Sequence, residues 1–139
     1  MWKLQFDGGS RGNPGPGGAG TLLYNTENEI VNKEWFFIPY CTNNEAEYTS
    51  LIIGLNIAIK KSINSLHIEG DSKLVIEQVQ GNWKVKAENL KPFHARIQLL
   101  LQEIEYTTFK HIPRKFNTEA DALANKAMDT KESGKWVKK

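Results

Sequence analysis

Thr42-Asn43-Asn44-Glu45-Ala46-Glu47-Tyr48 opens the stretch on which the fold turns. From Ala46 to Ile59 the apolar residues Ala46, Tyr48, Leu51, Ile52, Leu55, Ala58 and Ile59 recur at helical spacing. Thr42 to Glu45 has the form of a capping box, with a threonine at the N-cap and a glutamate three residues on that reaches back to the cap N–H. Before this helix the period is two. Trp2, Leu4 and Phe6 alternate with Lys3, Gln5 and Asp7; Ala19 to Tyr24 and Val31 to Ile38 are further apolar runs, the last bounded by Pro39. Asn25 to Asn28 supplies the turn between those two, so three strands in an antiparallel meander are expected. The Gly/Pro cluster from Gly8 to Gly20 reads as a structured loop.

Beyond the helix, Leu66 to Glu69 reads as a short strand ended by Gly70-Asp71, and Ser72 to Val79 as a short helix. Asn89 to Ile104 is a longer helix, Tyr106 to Ile112 a strand ended by Pro113, and Asn117 to Met128 the last helix, capped by Asn117 or Thr118. The expected order is β-β-β-α-β-α-α-β-α. It implies an α/β fold, a five-stranded mixed sheet with helices on both faces. In such sheets ligands gather beyond the carboxyl ends of the parallel strands.

With 139 residues the chain is one domain of ordinary size, able to bury a core without a disulfide or structural metal. Residues 1–129 are expected to form that domain. The Lys-rich stretch 130–139, with four of the 18 basic residues, is expected to fray. One cysteine, Cys41, excludes an internal disulfide and a Cys-based zinc site. No apolar run reaches the ~18–20 residues of a membrane span. Met1 leads straight into the first strand, so no leader is expected and a cytoplasmic compartment is. A net charge of +2 permits a nucleic-acid partner without announcing one.

Four acids stand at the ends of these elements. Asp7 ends the first strand before Gly8-Gly9, Asp71 ends another, and Glu47 and Asp121 lie in the first turns of helices. Each has an ordinary alternative: a turn aspartate at Asp7, a favourable helix-end charge at Glu47 or Asp121, an N-cap at Asp71. Glu45 already serves the capping box, so Glu47 is spare. A mixed sheet of this topology can bring the four ends to one edge. Four buried carboxylates cannot all stay charged without cations, because like charges a few ångströms apart raise each other's pKa. Oxygen-only ligands suit Mg²⁺ or Mn²⁺. Two such ions roughly 3.5–4 Å apart form the clamp used for phosphodiester cleavage.

The motifs themselves are familiar. The run Asp7-Gly8-Gly9-Ser10-Arg11-Gly12-Asn13-Pro14, the run Thr42 to Tyr48, Gly70-Asp71-Ser72 and Asn117-Thr118-Glu119-Ala120-Asp121 resemble, in order, the four motifs of type 1 ribonuclease H. The match covers about residues 1 to 129. The resemblance implies an endonuclease that cuts the RNA strand of an RNA–DNA hybrid, leaving 5′-phosphate and 3′-hydroxyl ends, with two Mg²⁺ ions (or Mn²⁺) held by Asp7, Glu47, Asp71 and Asp121. It implies substrate contacts at Gly8, Ser10, Asn13, Asn43 and Asn44, and a grip on a DNA phosphate by Thr42 and Asn82. It also implies a substrate contact at Asn117, which would orient or cap the last helix. Many members carry a histidine in the loop before that helix; here the loop is Ile112-Pro113-Arg114-Lys115-Phe116, and Arg114 takes the role of helping product release, with His111 the alternative. Small amides and close glycines suit the task, since RNA is told from DNA at the 2′-hydroxyl in the wide minor groove.

Many bacterial members have a basic helical protrusion. Gln80 to Arg96 holds only Lys84, Lys86, Lys91 and Arg96, so the chain resembles the shorter branch without it. No appended hybrid-binding domain is expected, which leaves Lys84, Lys86 and the Lys-rich end to add affinity. A monomer is expected. Trp83, between Asn82 and Lys84, is a candidate to pack on the DNA sugar–phosphate. The G-x-G-x-x-G spelled by Gly15 to Gly20 is followed by a strand, not a helix, and so is no dinucleotide site. Two alternatives stay open: a binding module of the same fold that lacks catalysis, and a nuclease that also cuts RNA–RNA duplexes.

Overall fold

The structure, a computed structural model, describes residues 1–139. It has β1 (Trp2–Ser10), β2 (Gly15–Tyr24), β3 (Ile30–Cys41), α1 (Asn43–Lys60), β4 (Ser65–Gly70), α2 (Lys73–Val79), α3 (Lys91–Leu101), β5 (Tyr106–His111), α4 (Thr118–Thr130) and β6 (Gly134–Val137). The strands form one sheet in the order β5-β4-β1-β2-β3-β6. β1, β2 and β3 are an antiparallel meander, and β4 and β5 add in parallel to β1. The parallel centre puts the carboxyl ends of β1 and β4 side by side, with Phe6 paired to Gly70.

The sheet has six strands where five were expected. Gly134–Val137 pairs antiparallel with β3, from Asn32↔Val137 to Trp35↔Gly134. The end expected to fray is therefore a strand through Val137. Its Lys-rich, exposed sequence carries no core-facing period, and the free edge of β3 supplies the ladder that holds it.

The first two strands are also longer than their apolar runs. β1 continues to Ser10 and β2 begins at Gly15, so the Gly/Pro cluster is mostly strand and only residues 11–14 form a loop. Gly20 shows why. A Cβ there would collide with the backbone of α4 at Ala120 and Ala124, so the helix rests directly on the strand. β3 runs past Pro39 to Cys41; the proline falls where the pairing slips between Gly17↔Ile38 and Gly15↔Cys41.

Leu4, Phe6, Tyr48, Leu51, Leu55, Leu66, Ile68 and Ile76 are buried in one core between the sheet and α1–α3. α4 covers the other face. Between α2 and α3 there is only a single 3₁₀ turn, Glu88–Leu90, and no additional helix. No helix is long and apolar enough to cross a membrane.

Candidate active site

Two of the acids, Glu47 and Asp71, are free for the site because a neighbour takes over their ordinary structural duty. The capping box forms as read: Thr42 Oγ1 accepts from the Glu45 N–H at 3.1 Å, and Glu45 Oε1 accepts from the Thr42 N–H at 2.8 Å. Glu47 is thereby free of the cap. Ser72 caps α2 by accepting from the Val75 N–H at 3.3 Å, so Asp71 is not the N-cap. Asp7 lies in β1 one residue beyond the Phe6↔Gly70 pair. A Cβ at Gly8 would collide with the Ala46 carbonyl and the Glu47 N–H. Only glycine lets β1 approach α1 this closely, and that approach sets Asp7 beside Glu47.

One carboxylate oxygen from each of Asp7, Glu47 and Asp71 lies within 4.8 Å of the others. Asp121 is outside this triplet but lines the same cavity of about 470 Å³. Asp7 is 7% exposed and Glu47 9%. Burial, reinforced by the charges of Asp71 and Asp121, pushes the Asp7 carboxyl up to about 8. Burial, then the charges of Asp7 and Asp71, raises Glu47 well above the carboxylate range. The Gly8 N–H lowers both. Glu47 Oε1 is fully buried and has no hydrogen-bond partner. A buried acceptor with no donor, beside two more carboxylates, fits a hard divalent cation. The oxygen-only donor set does not suit zinc.

The polar residues from the loop after β1 meet the start of α1. Asn43 Oδ1 accepts from the Ser10 N–H at 2.8 Å and from Ser10 Oγ at 3.1 Å, and the Asn43 N–H donates to Asn13 Oδ1 at 2.9 Å. Gly8, Ser10 and Asn43 line the acidic cavity. Asn13, Thr42, Asn44 and Asn82 do not. Asn44 is exposed, while Asn82 lies beyond α2 and donates to Glu77 Oε2 at 3.1 Å. Trp83 is 43% exposed, with the Lys73 ammonium 5.9 Å from its ring centre.

Asn117 orients the last helix as expected, but neither caps it nor reaches substrate. It is fully buried, and its Nδ2 donates to the Phe6 carbonyl at 2.9 Å. Its side chain does not cap α4. A residue with no exposed surface is not a substrate contact; it ties the start of α4 to β1. Arg114 lies in a short 3₁₀ turn with its guanidinium 3.6 Å from Asp121 and its side chain 80% exposed. His111 ends β5, and its Nε2 sits 3.2 Å from the Asp71 carbonyl. Both candidates for the loop role thus flank the acids.

Two lining residues escaped the sequence reading. Arg11 pairs with Asp129 at 2.6 Å and reaches Asn125 at 3.5 Å. Asn125 Nδ2 in turn donates to the Asp121 carboxylate at 3.3 Å. Arg11 lies inside the Asp7–Pro14 motif, but nothing in its spacing points to α4.

The profile of the family described as "Reverse transcriptase-like" matches residues 5–127. The chain is 42% identical over 127 residues to the bifunctional protein Rv2228c of Mycobacterium tuberculosis, covering 91% of this chain and 35% of that one. It thus spans about a third of the length of the first curated relatives it matches. RNase H1 from the archaeon Halobacterium salinarum superposes with a TM-score of 0.90 at 38% identity, over 93% of this chain and 98% of that one. LC11-RNase H1, solved in complex with an RNA/DNA hybrid, superposes at 0.88 with 34% identity over 94% and 99%.

Proposed function

We propose that this chain, which belongs to the type 1 ribonuclease H family, is an endonuclease that hydrolyses the RNA strand of RNA–DNA hybrids and leaves 5′-phosphate and 3′-hydroxyl ends. The observation that carries this reading is the buried triplet Asp7, Glu47 and Asp71, with Asp121 on the same cavity. Such a set is costly to a fold unless cations neutralise it. The hybrid held by LC11-RNase H1 names the substrate of a relative with the same fold.

Asp7, Glu47, Asp71 and Asp121 would hold the cations, Mg²⁺ by preference and Mn²⁺ as a substitute. Two bound ions of this kind activate a water and stabilise the leaving 3′-oxygen. Asp7, which interacts with Asp71 and Asp121 and acts in turn on Glu47, would hold the cations together with all three. Glu47 and Asp71 would serve the leaving-group side and Asp121 the side of the attacking water. Ser10, Asn43 and the Gly8 backbone face the scissile strand, where hydroxyl, amide and N–H groups can read a 2′-hydroxyl. Asn13 and Asn44 extend that contact. Thr42 and Asn82 hold a phosphate of the DNA strand. Arg114, exposed beside Asp121, draws the cleaved 5′-phosphate away.

With no protrusion between α2 and α3, electrostatic grip falls to Lys84 and Lys86 beside Trp83. The working protein is a monomer in the cytoplasm. The test is a cleavage assay on a labelled hybrid with Asp7→Asn: loss of all cutting with an unchanged circular dichroism spectrum is expected, and retained cutting would remove the site.

A further inference from the structure

A second cavity, of about 360 Å³, lies at the opposite end of α1 from Glu47. Its floor is β3 and β6, where Asn32 pairs with Val137 and Glu34 with Lys135. Its wall is the last turn of α1, with Ile57, Lys60 and Lys61. Lys60 lies thirteen helical steps beyond Glu47, about 20 Å along the axis at ~1.5 Å each. The two cavities are therefore separate sites. The volume falls in the ~300–1,000 Å³ range of small-molecule pockets.

The polar groups here are unpaired. Asn32 is 8% exposed, and its Oδ1 is buried with no hydrogen-bond partner. No carboxylate lies within 4.0 Å of the Lys60, Lys61 or Lys135 ammonium. Burial raises the Glu34 carboxyl, and the charges of Lys135 and Lys60 pull it back, so both cations bear on that acid without closing a salt bridge. One buried, unpaired acceptor and a half-buried carboxylate beneath a rim of exposed lysines that form no salt bridge suit a two-ended ligand. One end must offer N–H donors to Asn32 and Glu34. The other must bring negative charge to the lysines, where a phosphate serves best.

We infer that this cavity binds a 5′-phosphorylated nucleotide, base inward on Glu34 and Asn32, phosphate outward on Lys60, Lys61 and Lys135, with guanine favoured. Guanine presents an N–H and an NH₂ side by side, matching the two oxygens of one carboxylate. Uracil offers a single N–H between two carbonyls that the carboxylate repels. Ile57 and Val137 supply the apolar flank for the ring. Both a free nucleotide and the 5′ end of a short RNA carry this chemistry.

The test uses the full ¹⁵N-labelled chain in chelator, titrated with 5′-GMP, 5′-UMP, guanosine, inorganic phosphate and a 5′-phosphorylated ribotetramer beginning with G. Saturable shifts are expected at Asn32, Glu34, Ile57 and Lys60 with 5′-GMP, at a Kd below about 1 mM. Guanosine, phosphate and 5′-UMP should each bind at least about tenfold more weakly. Lys60→Ala/Lys61→Ala should cost at least about tenfold in 5′-GMP affinity, with hybrid cleavage unchanged. Glu34→Gln should narrow the preference for GMP over UMP. A tetramer as tight as 5′-GMP assigns the site to strand ends, and a weaker one to free nucleotides. Absence of saturable shifts up to about 10 mM, or identical titrations with the double-lysine variant, would overturn the inference.

Discussion

Asn117 Nδ2 donates to the Phe6 carbonyl at 2.9 Å, in a place where neither residue meets solvent. Phe6 precedes Asp7, and Asn117 begins the helix that carries Asp121, its carbonyl accepting from the Asp121 N–H at 3.1 Å. One hydrogen bond thus sets the distance between two acids 114 residues apart in sequence. Asn117→Ala should remove a buried donor from the Phe6 carbonyl, lowering stability by about 1–3 kcal/mol. It should also lower kcat several-fold, because Asp121 loses its fixed place beside Asp7. Urea melts and steady-state cleavage measure both; a variant as stable and as active as the parent contradicts the positioning role.

Asp7→Asn should abolish cleavage and yet stabilise the fold in chelator at pH 8. The native carboxyl is buried among Glu47, Asp71 and Asp121, and an amide of the same shape removes its charge. A thermal melt with lower Tm for the variant at that pH would show that Asp7 is not strained by its neighbours.

Stability without metal should fall as pH rises. The folded Asp7 carboxyl keeps its proton to about 8, while its ordinary value is 3.8, and Glu47 is raised in the same direction. The folded state then binds more protons than the unfolded one, so this contribution is fully present below about pH 4 and is lost by pH 8. In chelator, Tm should drop by at least ~3 °C between pH 5.5 and 8.5. Mg²⁺ requires the ionised acids, so its gain in Tm should be larger at pH 8.5 than at 5.5. Equal gains at both pH values would count against the cluster as the metal site.

Arg114→Ala should slow multiple turnover several-fold and leave single-turnover cleavage nearly unchanged. Its ion pair with Asp121 is 3.6 Å long and exposed, too weak to matter for the fold. Rapid-quench and steady-state rates on one hybrid separate the two steps, and equal slowing of both would exclude a release role. His111→Ala, near the Asp71 carbonyl, is the comparison.

The four acids and the capping box were legible because each is local. A strand-ending Asp, a spare Glu beside a complete cap and an acid in a first helical turn can be read within a few residues. The glycine strands were not, because Gly18 and Gly20 look like loop until α4 is known to lie on them, and Gly15 and Gly17 until the backbone of residues 9–12 and Cys41 are known to crowd them. β6 was missed for a similar reason: its partner is the edge of β3, a hundred residues away, and its own four residues, Gly134 to Val137, are too few to show a strand period. Asn117 was taken for a substrate contact since burial of an amide at a helix start depends on a carbonyl over a hundred positions earlier. Local pattern carried the chemistry; long-range packing carried the alignment.

The most direct test takes one 5′-labelled RNA strand in three forms: paired with DNA, paired with RNA, and alone. Each is incubated with the full chain in Mg²⁺, in Mn²⁺ and in chelator. Internal cuts in the hybrid that need metal and leave 3′-hydroxyl ends are the predicted result, with additional cuts in the RNA duplex widening the substrate class. Tight binding of the hybrid with no cleavage in either metal would contradict the nuclease reading and make the chain a binding module of the same fold.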